Sequence, residues 1–362
     1  MVKVLMVVKA IEKSGVTNVM RTYIEHIDRE KYEIDIVTGQ IVDIDSKTIF
    51  ESCGCNVKLL SNRDKNIIIY IKKLCRIIKK GKYDIVHVHG NSALIFPELL
   101  AAKMAKCKIR IAHSHNTKCN HPMVNRLVQP IFNCLYTHAI ACSTEAGTWM
   151  FKGREFDVVN NAIDVKQFVF DEEIRDVQRK KLGVETKFVV GHVGFFNDQK
   201  NHEFLIDVFK EIVKVNEDAV LLLIGVGELM STIKEKVYKL GLLDKVIFYG
   251  SSNEVNSLMM AMDVFVFPSQ FEGLGIVLVE AQATGLRCFA SDKVPQLANV
   301  TGTVRFFSLQ SDVAMWSKAV LGLTSDLDRN SISKNNVELI KKNGFDTPSV
   351  IEKLQKLYNT SR

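Results

Sequence analysis

The chemistry in this chain is concentrated in the run Phe271-Glu272-Gly273-Leu274-Gly275 and the apolar stretch Ile276-Val277-Leu278-Val279-Glu280-Ala281-Gln282-Ala283 that follows it. Glycines beside an acid leave backbone amides bare. Bare amides at the start of a helix attract an anion such as a phosphate. Glu280 poses a separate problem, because a carboxylate inside so apolar a helix is costly unless a polar partner reaches it. A salt bridge to a neighbouring strand and the hydroxyls of a sugar or ribose both answer that need. If the stretch is helical, Glu272 and Glu280 are separated by a rise of about 12 Å. Retaining glycosidases need their carboxyl groups about 5 Å apart and inverting ones under about 10 Å. The spacing argues against hydrolysis by this pair and for two acids gripping different parts of one extended ligand.

Lys200 adds a second anchor. It precedes a helix that Asn201 is expected to cap, and a cation at a helix N-terminus is unfavourable unless an anion joins it. A surface lysine is the plain alternative. A phosphate held between Lys200 and the amides of 273–275 reconciles both features. Gly225-Val226-Gly227 forms another glycine loop, but it lacks the third glycine and the ribose-binding acid of a dinucleotide fingerprint. A hydride-transfer enzyme is therefore weakly supported. His87-Val88-His89 and His113-Ser114-His115 close two strands, and alternation puts each pair on one face. A metal site, satisfied or solvent-lining histidines, and one histidine touching a substrate are the competing readings. Asp43-Ile44-Asp45 is the candidate metal-binding DxD, and it reads as a solvated loop. The eight cysteines have irregular spacing, which suits free thiols in a reducing compartment better than zinc or disulfides.

Alternating strands and helices must position these residues. Strands are expected at Val2–Val8, Ile34–Thr38, Asp84–His89, Lys108–His113 and His138–Cys142. Helices are expected near Thr17–Ile27, Lys65–Lys80, Ser92–Met104 and Met123–Leu135. The order restarts with strands at Phe188–Val193, Ala219–Ile224, Lys245–Tyr249, Asp263–Phe267 and Leu286–Ala290. The polar stretch Asp164–Gly183 reads as a linker. Short apolar strands between amphipathic helices define an α/β chain with two doubly wound parallel sheets. Ligands bind such sheets at the carboxyl ends of strands, and two facing units would enclose a cleft.

Composition agrees. Hydrophobic content of 47% over 362 residues supports two ordinary cores. No apolar run approaches the ~18 residues of a membrane span. The opening Met1–Val8 reads as a buried strand, so the expected location is the cytosol. Residues 1–164 carry 24 Lys and Arg against 16 Asp and Glu, while the remainder carries 24 against 25. A basic first half suits an anionic partner. Its densest segment, Ile71–Lys82, alternates apolar and basic residues at helical spacing. It reads as a solvated helix face, or as a contact for anionic lipid or a phosphorylated acceptor. Nucleic acid is disfavoured, because no aromatic residues are interleaved.

These residues carry a family resemblance. Glu272 through Glu280 matches the E-x7-E signature of glycosyltransferase family 4. Gly191-His192-Val193-Gly194, Gln199-Lys200-Asn201-His202, Asn160-Asn161-Ala162-Ile163-Asp164 and Tyr83-Asp84-Ile85-Val86-His87-Val88-His89 match as well. The chain resembles the retaining GT-B enzymes of that family, within it the bacterial exopolysaccharide and capsule transferases. The resemblance implies an acceptor-binding domain over 1–164, a nucleotide-sugar domain over 165–345, and a helix at 346–362 packing back on the first domain. It implies a nucleotide-sugar donor, UDP-linked on family frequency, and a glycan or lipid-linked acceptor at the inner face of the cell membrane. It implies neither metal nor cofactor.

Carried over, Glu272 would hold the donor sugar and Glu280 the ribose. Lys200 with the amides of Gly273, Leu274 and Gly275 would take the diphosphate. Gly15 would close over the phosphates, Gly250 and Ser251 would lie near the base, and His115 beside the reacting sugar. Three positions depart from the pattern. Phe195 stands where the family has an arginine, Ser14-Gly15 replaces a double glycine, and Arg287 replaces a proline. Phe195 keeps a second reading open, a nucleotide-sugar-binding relative with weak or no turnover acting as a partner subunit.

Overall fold

A computed structural model describes the chain except residues 13, 62, 64, 323–327 and 360–362. It divides into two compact units, Met1–Ala162 with Thr347–Arg362, and Ile163–Asp346. In the first unit the order is β1 (Val2–Val8), α1 (Gly15–His26), β2 (Tyr32–Thr38), α2 (Ile44–Ser52), β3 (Val57–Leu59), α3 (Ile67–Gly81), β4 (Ile85–Gly90), α4 (Phe96–Met104), β5 (Ile109–Ser114), α5 (Pro122–Phe132), β6 (His138–Ala141), α6 (Thr144–Phe151) and β7 (Asp157–Val158). The strands run parallel in the order β3-β2-β1-β4-β5-β6-β7. Valines and isoleucines dominate β1, β2 and β4, which are buried along nearly their whole length.

In the second unit the order is α7 (Glu172–Leu182), β8 (Phe188–Val193), α8 (His202–Val215), β9 (Ala219–Ile224), α9 (Met230–Lys239), β10 (Val246–Gly250), α10 (Val255–Ala261), β11 (Val264–Phe267), α11 (Ile276–Ala283), β12 (Arg287–Ser291), β13 (Val304–Phe307), α12 (Val313–Leu321) and α13 (Arg329–Lys342). Its strands run in the order β10-β9-β8-β11-β12-β13. The order reverses between β8 and β11, so the loops after those two strands flank the crevice where such sheets take ligands. A last helix, α14 (Thr347–Asn359), belongs to the first unit. Its Val350, Ile351, Leu354 and Tyr358 join that unit's core, and the Tyr32 hydroxyl donates to the Asn359 side chain at 2.9 Å.

The stretch Asp164–Gly183, expected as a linker, is instead a short 3-10 turn and the helix α7. Its inward side is charged. Arg175 and Arg179 pair with Asp263, and both guanidiniums donate to carbonyls at the end of α10. Arg329 of α13 reinforces the same cluster, donating to the carbonyls of Met259, Met260, Met262 and Thr284. A helix held by guanidiniums carries no apolar stripe, so the usual periodic signal is missing. Asp43 is likewise not part of a solvated loop. It is buried ahead of α2, and its carboxylate accepts the Ser46 hydroxyl at 2.6 Å. The eight cysteines are free thiols.

Candidate active site

The second unit assembles its site from two loops. After β8 the chain passes Gly194 and Phe195, buries Phe196, and makes a 3-10 turn at Asp198–Lys200. Asn197 caps that turn by accepting the Lys200 amide at 3.1 Å. Asn201 does not cap the following helix, contrary to expectation. It adopts a left-handed conformation, and its side-chain amide donates to the Pro268 carbonyl at 3.2 Å. The Gln270 amide donates to the Gln199 carbonyl at 2.8 Å. These two bonds tie the loop after β8 to the loop after β11.

That tie brings Lys200 and Glu272 together. Lys200 Nζ lies 2.7 Å from Glu272 Oε1, with side chains only 15% and 8% exposed. The ammonium also sits 4.5 Å from the centre of the Phe267 ring. Lys200 is therefore not a surface lysine. The ion pair places a cation and a carboxylate side by side at the mouth of the β8–β11 crevice.

Gly275 has φ +83° and immediately precedes α11, a geometry that favours glycine. Gly273 and Leu274 are buried beside it. Since α11 begins at Ile276, Glu272 lies in the loop, and the helical rise expected between Glu272 and Glu280 does not apply. Glu280 is enclosed within the second unit, although part of its surface meets solvent. Burial pushes its carboxyl up to about 7, against a smaller opposing pull from Lys200. Among the described residues no hydrogen bond or ion pair reaches this carboxylate, so the salt-bridge reading of Glu280 is not what the structure contains.

The sign of the Glu280 effect follows from that shift. The folded chain holds the proton at pH values where the unfolded chain has lost it. The carboxyl is therefore harmless below about pH 4.5 and destabilises progressively as pH rises towards 7. Glu280→Gln is expected to stabilise the unliganded protein at pH 8 by about 1–3 kcal/mol and to do nothing at pH 4.5. Thermal melts at the two pH values check this, and equal shifts at both would contradict it.

Gly250 ends β10 with φ +85°, and its carbonyl accepts the Gly225 amide at 2.8 Å. Ser251 follows it, exposed. Both stand at the carboxyl end of β10, two strands from β8. The glycine loop after β9 has a packing role. A Cβ at Gly225 would meet the Gly194 carbonyl at 2.0 Å, and one at Gly227 would meet the Phe196 backbone. Phe195, where the family pattern has an arginine, is 45% exposed.

The first unit holds Gly15 and His115. Gly15 is exposed at the first turn of α1, where the Ser14 hydroxyl accepts the Thr17 amide. His115 lies just past β5 and is buried with His87, His89 and His113, which corrects the solvent-lining reading. The His87 and His89 rings stack at 4.2 Å, and the His113 and His115 rings lie tilted with centroids 4.1 Å apart. Lateral contacts complete the tetrad: His87 Nε2 to His113 Nδ1 at 3.1 Å, and His89 Nδ1 to His115 Nε2 at 3.0 Å. The Tyr358 hydroxyl of α14 lies 2.8 Å from His87 Nδ1.

Burial holds all four rings neutral. His87 and His115 are pushed down to about 3, and His89 and His113 well below the ordinary value, helped by the neighbouring imidazoles. The ligand nitrogens of His87, His89 and His113 all lie within 4.8 Å of one another. The stacked rings spend several of those nitrogens on each other, so the arrangement is a hydrogen-bonded tetrad first. The nitrogens His89 Nε2, His113 Nε2 and His115 Nδ1 have no partner among the described residues.

Two doubly wound units, the second with a glycine turn at its switch point, have the GT-B fold. Solved structures agree in fold. Anabaena Alr3699/HepE in complex with UDP-glucose superposes with a TM-score of 0.83 at 19% identity, covering 99% of this chain and all of that one. Sucrose-phosphate synthase of Thermosynechococcus elongatus superposes at 0.77 with 16% identity, covering 99% of each.

The chain belongs to the glycosyltransferases of this family: residues 13–167 match the model Glycosyltransferase Family 4, and residues 174–337 match Glycosyl transferases group 1. A Bacillus subtilis (strain 168) protein named as the glycosyltransferase EpsF is 28% identical over 99% of this chain and 97% of its own length. An Escherichia coli UDP-Gal:alpha-D-GlcNAc-diphosphoundecaprenol alpha-1,3-galactosyltransferase is 27% identical over 95% and 93%.

Proposed function

We propose that this chain is a retaining hexosyltransferase that moves a sugar from a UDP-sugar to a lipid-linked, growing cell-surface glycan. The observation that carries the reading is the Lys200–Glu272 pair beside the glycine turn at Gly273–Gly275. In the proposed complex the diphosphate draws Lys200 away from Glu272 and lies against the amides of 273–275. The freed carboxylate then accepts the hydroxyls of the donor sugar. Glu280, which has no hydrogen-bond or ion-pair partner among the described residues, takes the ribose, and Gly250 and Ser251 lie near the base. The first unit, which carries Gly15 and His115, holds the acceptor.

As the sugar–phosphate bond breaks, negative charge grows on the diphosphate. Lys200 and the amides stabilise it where they already stand, which is the form of catalysis that needs least reorganisation. This charge stabilisation requires no metal. The new bond forms on the face that the leaving group vacates, with the leaving phosphate as base. The relatives support the acceptor class, since the named Escherichia coli protein acts on a diphosphoundecaprenol-linked sugar. No helix of the described residues is long and apolar enough to cross a membrane. On this reading the lipid-linked acceptor is met at the inner face of the cell membrane.

The test is incubation with nucleotide sugars and a membrane extract. The proposal expects release of UDP and a labelled glycolipid. Stabilisation by UDP-sugar without release would favour a binding partner without turnover, the reading that Phe195 supports by removing a cation from the phosphate loop.

A further inference from the structure

The first unit has a recess that the proposed donor and acceptor sites do not use. It is a cavity of about 650 Å³ at the amino ends of β1, β4 and β5. Substrates of such sheets bind at the carboxyl ends, and His115 follows the carboxyl end of β5. The recess therefore lies at the opposite end of the sheet. Four lysines line it: Lys79 and Lys82 at the end of α3, and Lys106 and Lys108 between α4 and β5. All are exposed. Among the described residues, no hydrogen bond or ion pair holds their ammonium groups. Asp84 is the acid in the lining, and its carboxylate already accepts the Lys3 amide at 2.8 Å.

The nearby backbone accounts for part of this charge. Helices α3 and α4 both end at the cavity, and a helix C-terminus carries about half a negative charge. Lys82 and Lys106 stand just past those ends with φ 53° and 63°, a left-handed conformation in which glycine is usual. The two helix ends and Asp84 offset about two of the lysines, so about two positive charges have no counterpart. The rest of the wall is apolar and fixed. Ile78, Tyr83, Ile109 and Tyr358 line the cavity and are themselves buried. The Cys107 thiol donates to the Asp84 and Ile109 carbonyls at 3.3 Å each, which ties the entry of β4 to that of β5. The recess is thus formed before any ligand arrives, and its volume falls within the roughly 300–1,000 Å³ of small-molecule sites.

We propose that this recess binds a small phosphorylated anion, with its phosphoryl oxygens on the lysines and its organic body against Ile78 and Ile109. A lysine ammonium is a point charge that suits phosphate, and two unmatched positive charges suit one doubly charged phosphoryl group. A recess of this size takes a small molecule and not a polymer. Tyr358 closes one wall, and its hydroxyl lies 2.8 Å from His87 Nδ1, so the ligand would sit one side chain from the tetrad. The site is separate from the donor site and does not rest on the transferase reading.

The test is hydrogen exchange of the full chain with and without pyrophosphate, against sodium chloride at equal ionic strength. Pyrophosphate is expected to slow exchange over 78–84, 105–109 and α14. Lys200→Ala, which removes the cation of the donor site, should leave that protection intact. Lys106→Gly combined with Lys108→Ala should weaken binding at the recess about tenfold or more, through the loss of charge-assisted contacts. Glycine suits the left-handed backbone at 106, so the double variant should fold, and an unchanged melt checks that. Protection confined to 194–200 and 270–275 would overturn the inference. So would protection equalled by sodium chloride, or undiminished protection of the recess in the double variant. Protection of the recess with none at 194–200 would support it and count against the donor site instead, so the two readings fail separately.

Discussion

Lys200→Ala is expected to lower sugar transfer at saturating donor by about two to three orders of magnitude, the usual cost of losing one preorganised charge stabiliser. The argument is local. Lys200 is fixed by the Asn197-capped turn and by the bond between Gln270 and Gln199, so its ammonium waits at the crevice before any ligand arrives. Glu272 holds it there at 2.7 Å. The same substitution takes away the cation that buried Glu272 faces, a charge-assisted bond of about 1.5–3 kcal/mol. A fall in rate could therefore come from a weakened fold. Pairing Lys200→Ala with Glu272→Gln separates the two causes. The double variant should recover stability and be no faster than the single one. Steady-state rates with thermal melts decide, and a double variant that regains the wild-type rate would refute the role given to Lys200.

The second large effect is on acid stability. In the unfolded chain the four tetrad histidines titrate near 6.5, whereas in the fold burial keeps them neutral far below that. The unfolded state therefore binds more protons. The stability of the first unit is complete above pH 6.5 and falls as the pH drops below it. Each ring costs on the order of 2 kcal/mol by pH 5, so four together approach the whole stability of an ordinary domain. The second unit has two such buried histidines, His192 and His202, held down to about 4 and about 2. Hydrogen exchange on the full chain should show β4 and β5 losing protection between pH 7 and 5 well before β8 and β11. Equal loss in both units would show that the tetrad is not the acid-sensitive element.

Much of this was legible in the residues. The apolar runs of β1, β4, β8, β9 and β11 announced two parallel sheets, because a strand buried on both faces needs no polar alternation. Glu272, the following glycines and Glu280 announced an anion turn beside a costly acid. What was hidden depended on partners distant in sequence. Glu272 meets Lys200 across 72 positions, and only the adjacency of β8 and β11 makes that a contact. His87 meets Tyr358 across 271, because α14 returns to the first unit. Helix α7 was hidden for another reason. Its inward residues are Arg175, Gln178 and Arg179, and a guanidinium cluster on carbonyls leaves no hydrophobic period to read. The helix from Ile276 is legible in its apolar run, but its rise does not extend back to Glu272, since Gly275 precedes α11 in a left-handed conformation that keeps Glu272 in the loop.

The central claim is that Lys200 and the turn at 273–275 hold the diphosphate while Glu272 holds the sugar. Calorimetric titration of UDP and of a UDP-sugar into the wild type, Lys200→Ala and Glu272→Gln tests it most directly. The account predicts that Lys200→Ala weakens UDP itself by about tenfold or more. It predicts that Glu272→Gln leaves UDP binding nearly intact but abolishes whatever affinity the sugar adds. Unchanged UDP binding in Lys200→Ala, or an undiminished contribution of the sugar in Glu272→Gln, would contradict it.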